Sequence, residues 1–288
     1  MGRLPDEVLA VLCCPVCRLP LARADAAVRC PDRHSFDVAR QGYLNLITGR
    51  VPTGSADTAE MVAARVDFLA AGHYAPLAQL LADAATAHAP TADGLVADAG
   101  AGIGYYLGAL LDRRPAALGL AMDLSPLALR RAARVHPALG AVGWDVWRPW
   151  PVRDEAATVL LNVFAPRNGP EFHRVLRRDG VLLVVTPGPD HLAELGAEAG
   201  LLGVDPDKDR RLTATLGDRF RLTARESRTV PLALSPVDVW RVVHMGPAGH
   251  HRSDPRPEPD AAAEPVSVTA SFVLSVFRPV RSSTGLPS

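Results

Sequence analysis

Short apolar runs that alternate with helical segments constrain the fold of this chain more than any other feature. Four uninterrupted apolar runs, LVADAG, ALGLAMD, TVLLNVF and GVLLVVTPG, have the length and composition of strands covered on both faces. Helical candidates accompany them: YYLGALLDR, SPLALRRAARV, EFHRVLRRDG and HLAELGAEAG. This alternation predicts an α/β fold with a parallel, doubly wound sheet.

Two more strands are predicted after residue 220. RLTARESRTVPLAL covers 221–234, and VSVTASFVLSVFRPV covers 266–280 with an alternation suited to an edge or an antiparallel partner. The Pro-rich, polar stretch between them predicts a flexible loop or insertion over about 247–265. Its neighbours His250 and His251 are an alternative metal-binding pair, but we interpret the stretch as a solvated loop.

All four cysteines lie in the first thirty residues, in a region with too few apolar residues for a core of its own. Cys14, Cys17, Cys30 and His34 form two close pairs, and three thiolates with one imidazole complete a tetrahedral zinc site. A redox CxxC needs no second Cys/His pair. Cys13-x3-Cys17 is also a tolerable spacing, so Cys13 stays an alternative to Cys14. Four protein ligands leave no open coordination position, which predicts structural zinc.

A helix is predicted between the cysteine-rich region and the apolar runs. Asp57 and Glu60 form a capping-box-like start, apolar residues follow at helical spacing, and the helix should cover 57–71 and end at Gly72. We therefore predict three regions: a zinc-binding lobe over 1–45, a linker with this helix over 46–75, and the α/β domain over 76–288.

A glycine turn follows the first apolar run. Asp98 ends the predicted strand, and Gly100, Gly102 and Gly104 follow in a Gly-x-Gly-x-Gly spacing before a helix. Glycines there let the backbone approach a ligand closely. A pyrophosphate does not need an acid aimed into the turn, whereas the amino-acid end of a sulfonium cofactor does. The turn therefore favours S-adenosylmethionine over NAD.

Two acids further along fit an adenosine ligand. Asp123 ends the next strand, at the distance where an acid meets ribose hydroxyls, although it could also cap the helix that starts at Ser125. Asp145 in GWDVW lies where the adenine amino group is often accepted, with a plain surface turn as the alternative.

The charge balance excludes a strong global attraction to nucleic acid. The chain has 31 Lys and Arg residues against 31 Asp and Glu residues, so any RNA site must be a local patch. The start is too short and too acidic for a signal peptide, and no run approaches the length of a membrane span. We expect a cytoplasmic protein without a membrane partner.

Several of these segments together resemble the RlmA family of 23S rRNA guanine-N1 methyltransferases, including its macrolide (tylosin) resistance branch. The resemblance covers CPVCRLPL, CPDRHSFDVARQGYLNL, SADTAEMVAARVDFLAAGHYAPL, DAGAGIGYY, NVFAP and TPGPDHL. It implies a small zinc domain that recognises RNA, joined to a class I (Rossmann-like) methyltransferase domain, and it makes a homodimer plausible. The target would be guanosine 748 or 745 of one rRNA hairpin, with the composition favouring 748.

The resemblance also implies residue roles. Tyr74, Gly102, Ile103 and His191 would contact the cofactor, and Cys14, Cys17, Cys30 and His34 would hold zinc. Without it, Tyr74 would be interpreted as a core aromatic and His191 as a residue at a helix start.

Methylation at N1 requires an unpaired or extruded guanine. Phe164 is our candidate for stacking on it and Asn162 for orienting its edge. The segment NVFAP differs from the Asn-Pro-Pro-Tyr motif of exocyclic amino methyltransferases. No residue is identified as the base, and Asp37 and His73 are only guesses. RNA contacts are expected from arginines on and around the zinc lobe: Arg18, Arg23, Arg29, Arg33 and Arg40.

Two other functions stay open from the sequence. One is a small-molecule methyltransferase, for example of a natural product, in which the zinc lobe is a structural cap. The other is an RNA-binding module with an inactive methyltransferase fold, which the intact Asp98, Gly100, Gly102 and Asp123 disfavour.

Overall fold

The computed structural model contains a small antiparallel sheet at the N-terminus and one large sheet that carries the rest of the fold. The small sheet is formed by β1 (Ala22–Ala24), β2 (Ala27–Arg29) and β3 (Ser35–Asp37), preceded by α1 (Asp6–Ala10). The structure describes residues 4–25, 27–49, 57–196, 214–246, 249–250, 254–260 and 262–280.

The large sheet has eight strands in the order β10-β11-β9-β8-β5-β6-β7-β4. Each strand from β9 to β4 in this order pairs in parallel with the next, whereas β11 is antiparallel to both β9 and β10. The predicted doubly wound α/β fold is therefore confirmed. The strands are β4 (Leu44–Asn45), β5 (Gly94–Ala99), β6 (Ala117–Asp123), β7 (Leu139–Gly143), β8 (Ala157–Val163), β9 (Leu176–Pro187), β10 (Phe220–Leu234) and β11 (Val266–Pro279).

The last strand is not at the edge of the sheet. β11 lies between β9 and β10, so of the two alternatives for 266–280 the antiparallel partner is confirmed and the edge is wrong. Eight of its 14 residues are buried, while β10 at the edge is mostly exposed. In the loop between them, residues 254–260 form no helix or strand and His250 is exposed; His251 lies outside the described residues.

The helices differ from the predicted ones mainly at their ends. The cap of the linker helix lies one residue later than predicted, at Thr58 and not at Asp57. The Thr58 hydroxyl accepts the Met61 amide at 3.2 Å. The longer helices are α2 (Ala59–Ala70), α3 (Ala75–His88), α4 (Tyr105–Arg113), α5 (Pro126–Ala132), α6 (Gly169–Val175) and α7 (Pro236–His244).

For two of the predicted helices, the structure differs over most of the segment and not only at the ends. EFHRVLRRDG was predicted as one helix, but the chain leaves α6 after Val175, and Leu176 already pairs with β8. Pairing next to a fully buried strand overrides the local helical periodicity. In HLAELGAEAG only the 3₁₀ turn Ala193–Leu195 is helical before residue 197, where the described segment ends. The glycine-containing strand β7 and the helix α3 were not predicted.

The N-terminal lobe (described residues 4–45) packs on the large sheet rather than depending on metal alone. Leu4, Val8 and Leu12 are fully buried in one core with side chains of β5, β6 and β8. The helix α1 covers β6 and β7, where Gly140 leaves room for Val8. The expectation that burial could not hold this region is therefore wrong, because its few apolar residues share the core of the larger unit. The division at residue 45 stays a prediction, although β4 at that position already pairs with β7.

None of the helices in the described part of the chain combines the length and the apolar character that spanning a bilayer requires.

The contact between α1 and β7 leads to a prediction. A Cβ atom at Gly140 would clash with Leu4 Cδ1 and come within 2.8 Å of Val8 Cγ1, so Gly140→Ala should lower the free energy of unfolding by about 1–3 kcal/mol. Val8→Ala should relieve the part of the clash that involves α1, and the double variant should lose less stability than the sum of the two single changes. Denaturant unfolding of the zinc-loaded protein measures this. Simple additivity would show that α1 does not pack there.

Candidate zinc and cofactor sites

Four side chains of the N-terminal lobe converge on one point. The ligand atoms of Cys14, Cys17, Cys30 and His34 all lie within 4.8 Å of one another. Sγ of Cys17 is 3.6 Å from Sγ of Cys30, and Nδ1 of His34 is 3.7 Å from Sγ of Cys14 and 3.3 Å from Sγ of Cys30. Zinc–sulfur bonds of about 2.3 Å in a tetrahedron separate neighbouring sulfurs by roughly 3.8 Å. The spacing therefore fits zinc, with no open position for chemistry.

The backbone around the cluster decides between Cys13 and Cys14. The Cys13 amide donates to the Pro151 carbonyl, and Cys13 forms a bridge with Pro20, so its thiol is buried outside the cluster. Sγ of Cys14 instead accepts the Val16 amide at 3.4 Å, inside the first turn. The structure thus places Cys14, and not Cys13, in the cluster, and the four ligands stay a prediction.

The five arginines expected to contact RNA fall into two groups. Arg18 donates to the carbonyls of Trp150 and Val152, and Arg23 binds Asp6 and the Leu4 carbonyl, so these two hold the lobe in place. The other three are exposed, and only one of them has a side-chain partner in the described residues, a 3.4 Å contact with Ser35 Oγ. They are Arg29, Arg33 and Arg40.

The glycine turn between β5 and α4 has the predicted conformation. Gly100, Gly102 and Gly104 have φ of +77°, +54° and +78°, a region that favours glycine. Space is short as well, because a Cβ atom at Gly100 would lie 2.6 Å from Cβ of Ala165. The turn therefore brings its backbone to the carboxyl edge of the sheet, where parallel α/β proteins bind ligands, and its amides are held there by the Met122 carbonyl and by Asp123.

Asp123 braces this turn at the end of β6. Its Oδ2 accepts the Gly102 amide and its Oδ1 accepts the Ser125 amide, both at 2.8 Å. The side chain that caps α5 is that of Ser125, so the alternative role predicted for Asp123, as the cap of this helix, is not the one the structure shows. Burial raises the pKa of Asp123. Each carboxylate oxygen has a second lone pair, so ribose hydroxyls can still donate to it.

Asp98 is the most unusual group of the site. It is 2% exposed, and its Oδ1 has no hydrogen-bond partner among the described residues. Burial, together with the charge of Asp123, raises the pKa of the Asp98 carboxyl from 3.8 to about 8. A buried acceptor without a partner costs stability, so it is retained where a ligand satisfies it. An ammonium group such as that of the methionine end of S-adenosylmethionine fits this position.

Tyr74 and His191, which are far apart in sequence, meet near β11. The Ser271 amide donates to Nδ1 of His191 at 3.2 Å, and Nε2 of the same ring is 3.2 Å from Tyr74 Oη. This arrangement fits a neutral imidazole that carries its proton on Nε2 and donates it to the phenol oxygen. The Tyr74 hydroxyl then keeps its own proton for a ligand, and burial raises the pKa of this phenol.

Ile103 and Asp145 complete the predicted cofactor residues. Ile103 is buried beside the glycine turn at 8% exposure. Oδ1 of Asp145 accepts the Trp147 amide at 3.0 Å and Oδ2 lies 3.6 Å from Arg148 Nε. The side chain of Asp145 thus organises its own loop, as the surface-turn alternative predicted, and the adenine contact stays untested.

Phe164 and Asn162 flank the end of β8. Phe164 has φ of +53° and is 41% exposed, and its ring centroid lies 6.1 Å from that of His191. This backbone conformation costs about 1–3 kcal/mol in a bulky residue, which is typical of functional sites. Asn162 is fully buried and donates to the carbonyls of Ala99 and Pro166, leaving its Oδ1 without a described partner.

The two guessed bases lie away from this group. Asp37 is exposed in β3 of the small sheet, and His73 faces Asp238 of α7 at 3.4 Å. Sequence reasoning instead missed Arg65 of α2. Its Nη1 lies 3.5 Å from the Cβ position of Gly102, and it also pairs with Asp57. Its cationic head beside the glycine turn could hold a carboxylate, and no spacing signal in the sequence links it to that turn.

Comparison with known proteins agrees with this geometry. Residues 12–49 match the family model of the RlmA N-terminal zinc ribbon. A 23S rRNA (guanine(748)-N(1))-methyltransferase of Streptomyces fradiae is 45% identical over 283 residues, which cover 95% of this chain and 99% of that protein. The chain belongs to the RlmA family of 23S rRNA guanine-N1 methyltransferases.

A second relative supports the same family assignment, and a solved structure shows a distant likeness. A protein of Micromonospora griseorubida with a 23S rRNA (guanine-N(1)-)-methyltransferase name is 50% identical over 293 residues, covering 95% of this chain and 99% of that one. A solved geranyl diphosphate methyltransferase in complex with SAM has a TM-score of 0.44 at 13% identity, covering 71% of this chain and 85% of that chain. The segment that matches the family's zinc ribbon contains the cluster of Cys14, Cys17, Cys30 and His34.

The zinc cluster can be tested with a matched pair of variants. Cys30→Ser should abolish stoichiometric zinc binding, because it removes one of four ligands, whereas Cys13→Ser should keep one zinc per chain. Metal analysis of the purified proteins measures both. Loss of zinc in the Cys13 variant, or none in the unchanged protein, would contradict the assignment.

The state of Asp98 predicts a pH dependence. Below about pH 8 the carboxyl is protonated without cofactor, so binding of the cofactor ammonium should release a proton and weaken as the pH falls. Asp98→Asn should bind S-adenosylmethionine at least about tenfold more weakly and lose this dependence. Calorimetry in buffers of different ionisation enthalpy measures both, with the exposed Asp93→Asn as control.

The same shift affects the stability of the cofactor-free protein, with the opposite sign to that of a paired carboxylate. Between pH 3.8 and about 8 the folded state holds a proton on Asp98 that the unfolded chain releases. Stability from this group is therefore lost as the pH rises through that window, and Asp98→Asn should remove the loss. An unchanged melting profile in the variant would show that Asp98 is already ionised.

Proposed function

We propose that this protein transfers a methyl group from S-adenosylmethionine to N1 of guanosine 748 in 23S rRNA. The similarity to the Streptomyces fradiae guanine(748)-N(1) enzyme over nearly the full length of both chains carries this proposal. The buried Asp98 next to the glycine turn supports the cofactor, because it is an acid with an unsatisfied oxygen at the expected place. The cofactor supplies an electrophilic methyl group when bound.

The residues of the carboxyl edge divide the binding of that cofactor among them. Asp98 takes the ammonium group, Arg65 takes the carboxylate, and Asp123 accepts the ribose hydroxyls while it continues to brace Gly102. Tyr74, positioned by His191, donates its free hydroxyl proton into the cleft. The glycine turn, through Gly100, Gly102, Ile103 and Gly104, would exclude water from one side of the ligand. Asp145 stays our proposal for the adenine amino group.

The acceptor base enters beside Phe164. A half-exposed aromatic side chain next to buried residues suits an extruded guanine, which stacks on the ring and leaves its pairing edge toward Asn162. The Asn162 amide protons are used by backbone carbonyls, so only its oxygen can accept from the guanine N1–H or amino group. An amide oxygen orients this edge but does not take its proton. Positioning should therefore supply much of the rate.

The zinc lobe contributes to recognition through its exposed face. Arg29, Arg33 and Arg40 present guanidinium groups to solvent, and these can hold phosphates or stack on bases. A small-molecule methyltransferase has no need of such a lobe, and the similarity to rRNA methyltransferases extends through it. A homodimer, a cytoplasmic location and lower susceptibility to macrolides such as tylosin are further parts of the proposal.

Primer extension on unmodified 23S rRNA tests the function. Methylation at N1 blocks base pairing, so reverse transcription after treatment with protein and S-adenosylmethionine should stop next to guanosine 748. The Asp98→Asn protein should give a weaker stop at limiting cofactor, and heat-denatured protein should give none. A stop at 745 alone would correct the position. No stop, with labelled methyl groups appearing in a small molecule instead, would overturn the proposal.

A further inference from the structure

One large apolar side chain stands out on the surface beside the cofactor site. Trp147 is 63% exposed, whereas the other three tryptophans of the chain, Trp144, Trp150 and Trp240, are 4%, 0% and 8% exposed. An aromatic ring of this size buries a large area when it finds a partner, so its exposure has a cost unless a ligand covers it. Nothing in the proposed cofactor contacts uses this ring.

The loop that carries Trp147 is held rigidly. The Trp147 amide donates to Asp145 Oδ1 at 3.0 Å, and the Val146 carbonyl accepts both Trp150 Nε1 at 3.0 Å and Asn168 Nδ2 at 2.9 Å. The backbone on both sides of the ring is thus fixed by hydrogen bonds. A preorganised aromatic group loses little entropy on binding, which distinguishes it from a side chain that is exposed on a mobile loop.

The position of the loop joins the two halves of the proposed RNA site. It follows β7, whose end lies at the same edge of the parallel sheet as the ends of β5 and β6, where the glycine turn and Asp123 are located. On its other side it is bound by the zinc lobe, through the Arg18 contacts to Trp150 and Val152, and by the linker, through Arg148, which donates to the Thr48 carbonyl. The ring therefore projects from the junction between lobe and cofactor site.

We propose that Trp147 stacks on an unpaired nucleobase that neighbours the methylated guanine in the rRNA hairpin. This inference rests on the proposed function and adds an RNA-positioning residue to it. Proteins that hold single-stranded loops use aromatic side chains as stacking platforms, because every base has a π face. A hairpin held by the zinc lobe can reach this ring, because the loop of Trp147 contacts the lobe through Arg18 and follows β7 at the edge of the sheet that carries the cofactor site.

The test uses binding of a hairpin RNA transcript and of S-adenosylmethionine to the zinc-loaded protein. Trp147→Ala should weaken hairpin binding about tenfold and raise KM for RNA, while Trp147→Phe should retain most of the affinity. Cofactor affinity measured by calorimetry should not change in either variant. Val135→Ala, which shortens another exposed apolar residue at 44% exposure, is the matched control and should bind RNA as the unchanged protein does.

Fluorescence gives a second readout that does not depend on activity. Since the other tryptophans are buried, acrylamide should quench mainly the fluorescence of Trp147, and bound hairpin should reduce this quenching in the unchanged protein. In Trp147→Ala the quenchable fluorescence, and with it the effect of the hairpin, should be absent. Equal hairpin affinity of Trp147→Ala, a loss confined to cofactor binding, or dissociation of a dimer in sedimentation would each overturn the proposal. A normal primer-extension stop beside any of these results would leave the proposed function itself intact.

Discussion

The parallel pairing of β5 with β6 and β8 is the constraint on which the cofactor site depends. Parallel strands end at one edge, so Asp98, Asp123 and Asn162, which are separated by up to 64 positions, come together without any local signal that links them. The hydrogen bonds that the amides of Gly102 and Ser125 donate to Asp123 then hold the glycine turn against that edge. A one-residue slip of register would direct these side chains to the opposite face.

Burial sets the protonation of the acids at this edge of the sheet and also lowers the stability of the folded protein there. Asp98 is covered so completely that its carboxyl holds a proton near neutral pH, and one of its oxygens has no partner in the described protein. Phe164 adds strain from its left-handed backbone. Such costs are offset elsewhere in the fold and are recovered when a ligand satisfies the groups. The stability of the cofactor site therefore depends on what is bound there.

The zinc lobe shows that two kinds of force hold one small region. Zinc organises the two cysteine turns, while Leu4, Val8 and Leu12 bury themselves on the large sheet. Arg18 is part of the same arrangement: it extends from the first cysteine turn to the carbonyls of the loop that carries Trp147. The lobe is thereby fixed relative to the cofactor edge, so that an RNA bound by one can be presented to the other.

The sequence by itself determined the α/β class, the zinc-binding pattern with Cys13 still open beside Cys14, and the glycine turn, because these depend on hydrophobic period, ligand spacing and backbone freedom over a few residues. Its resemblance to a family implied that Tyr74 and His191 contact the cofactor, and the structure added that the two side chains contact each other. Only the tertiary structure decided that β11 lies inside the sheet, that α6 ends at Val175, and that Arg18 and Arg23 bind protein carbonyls. Arg65 and Trp147 also became visible only there. Contacts between distant segments set these features, and the order in which residues follow one another along the chain does not contain that information.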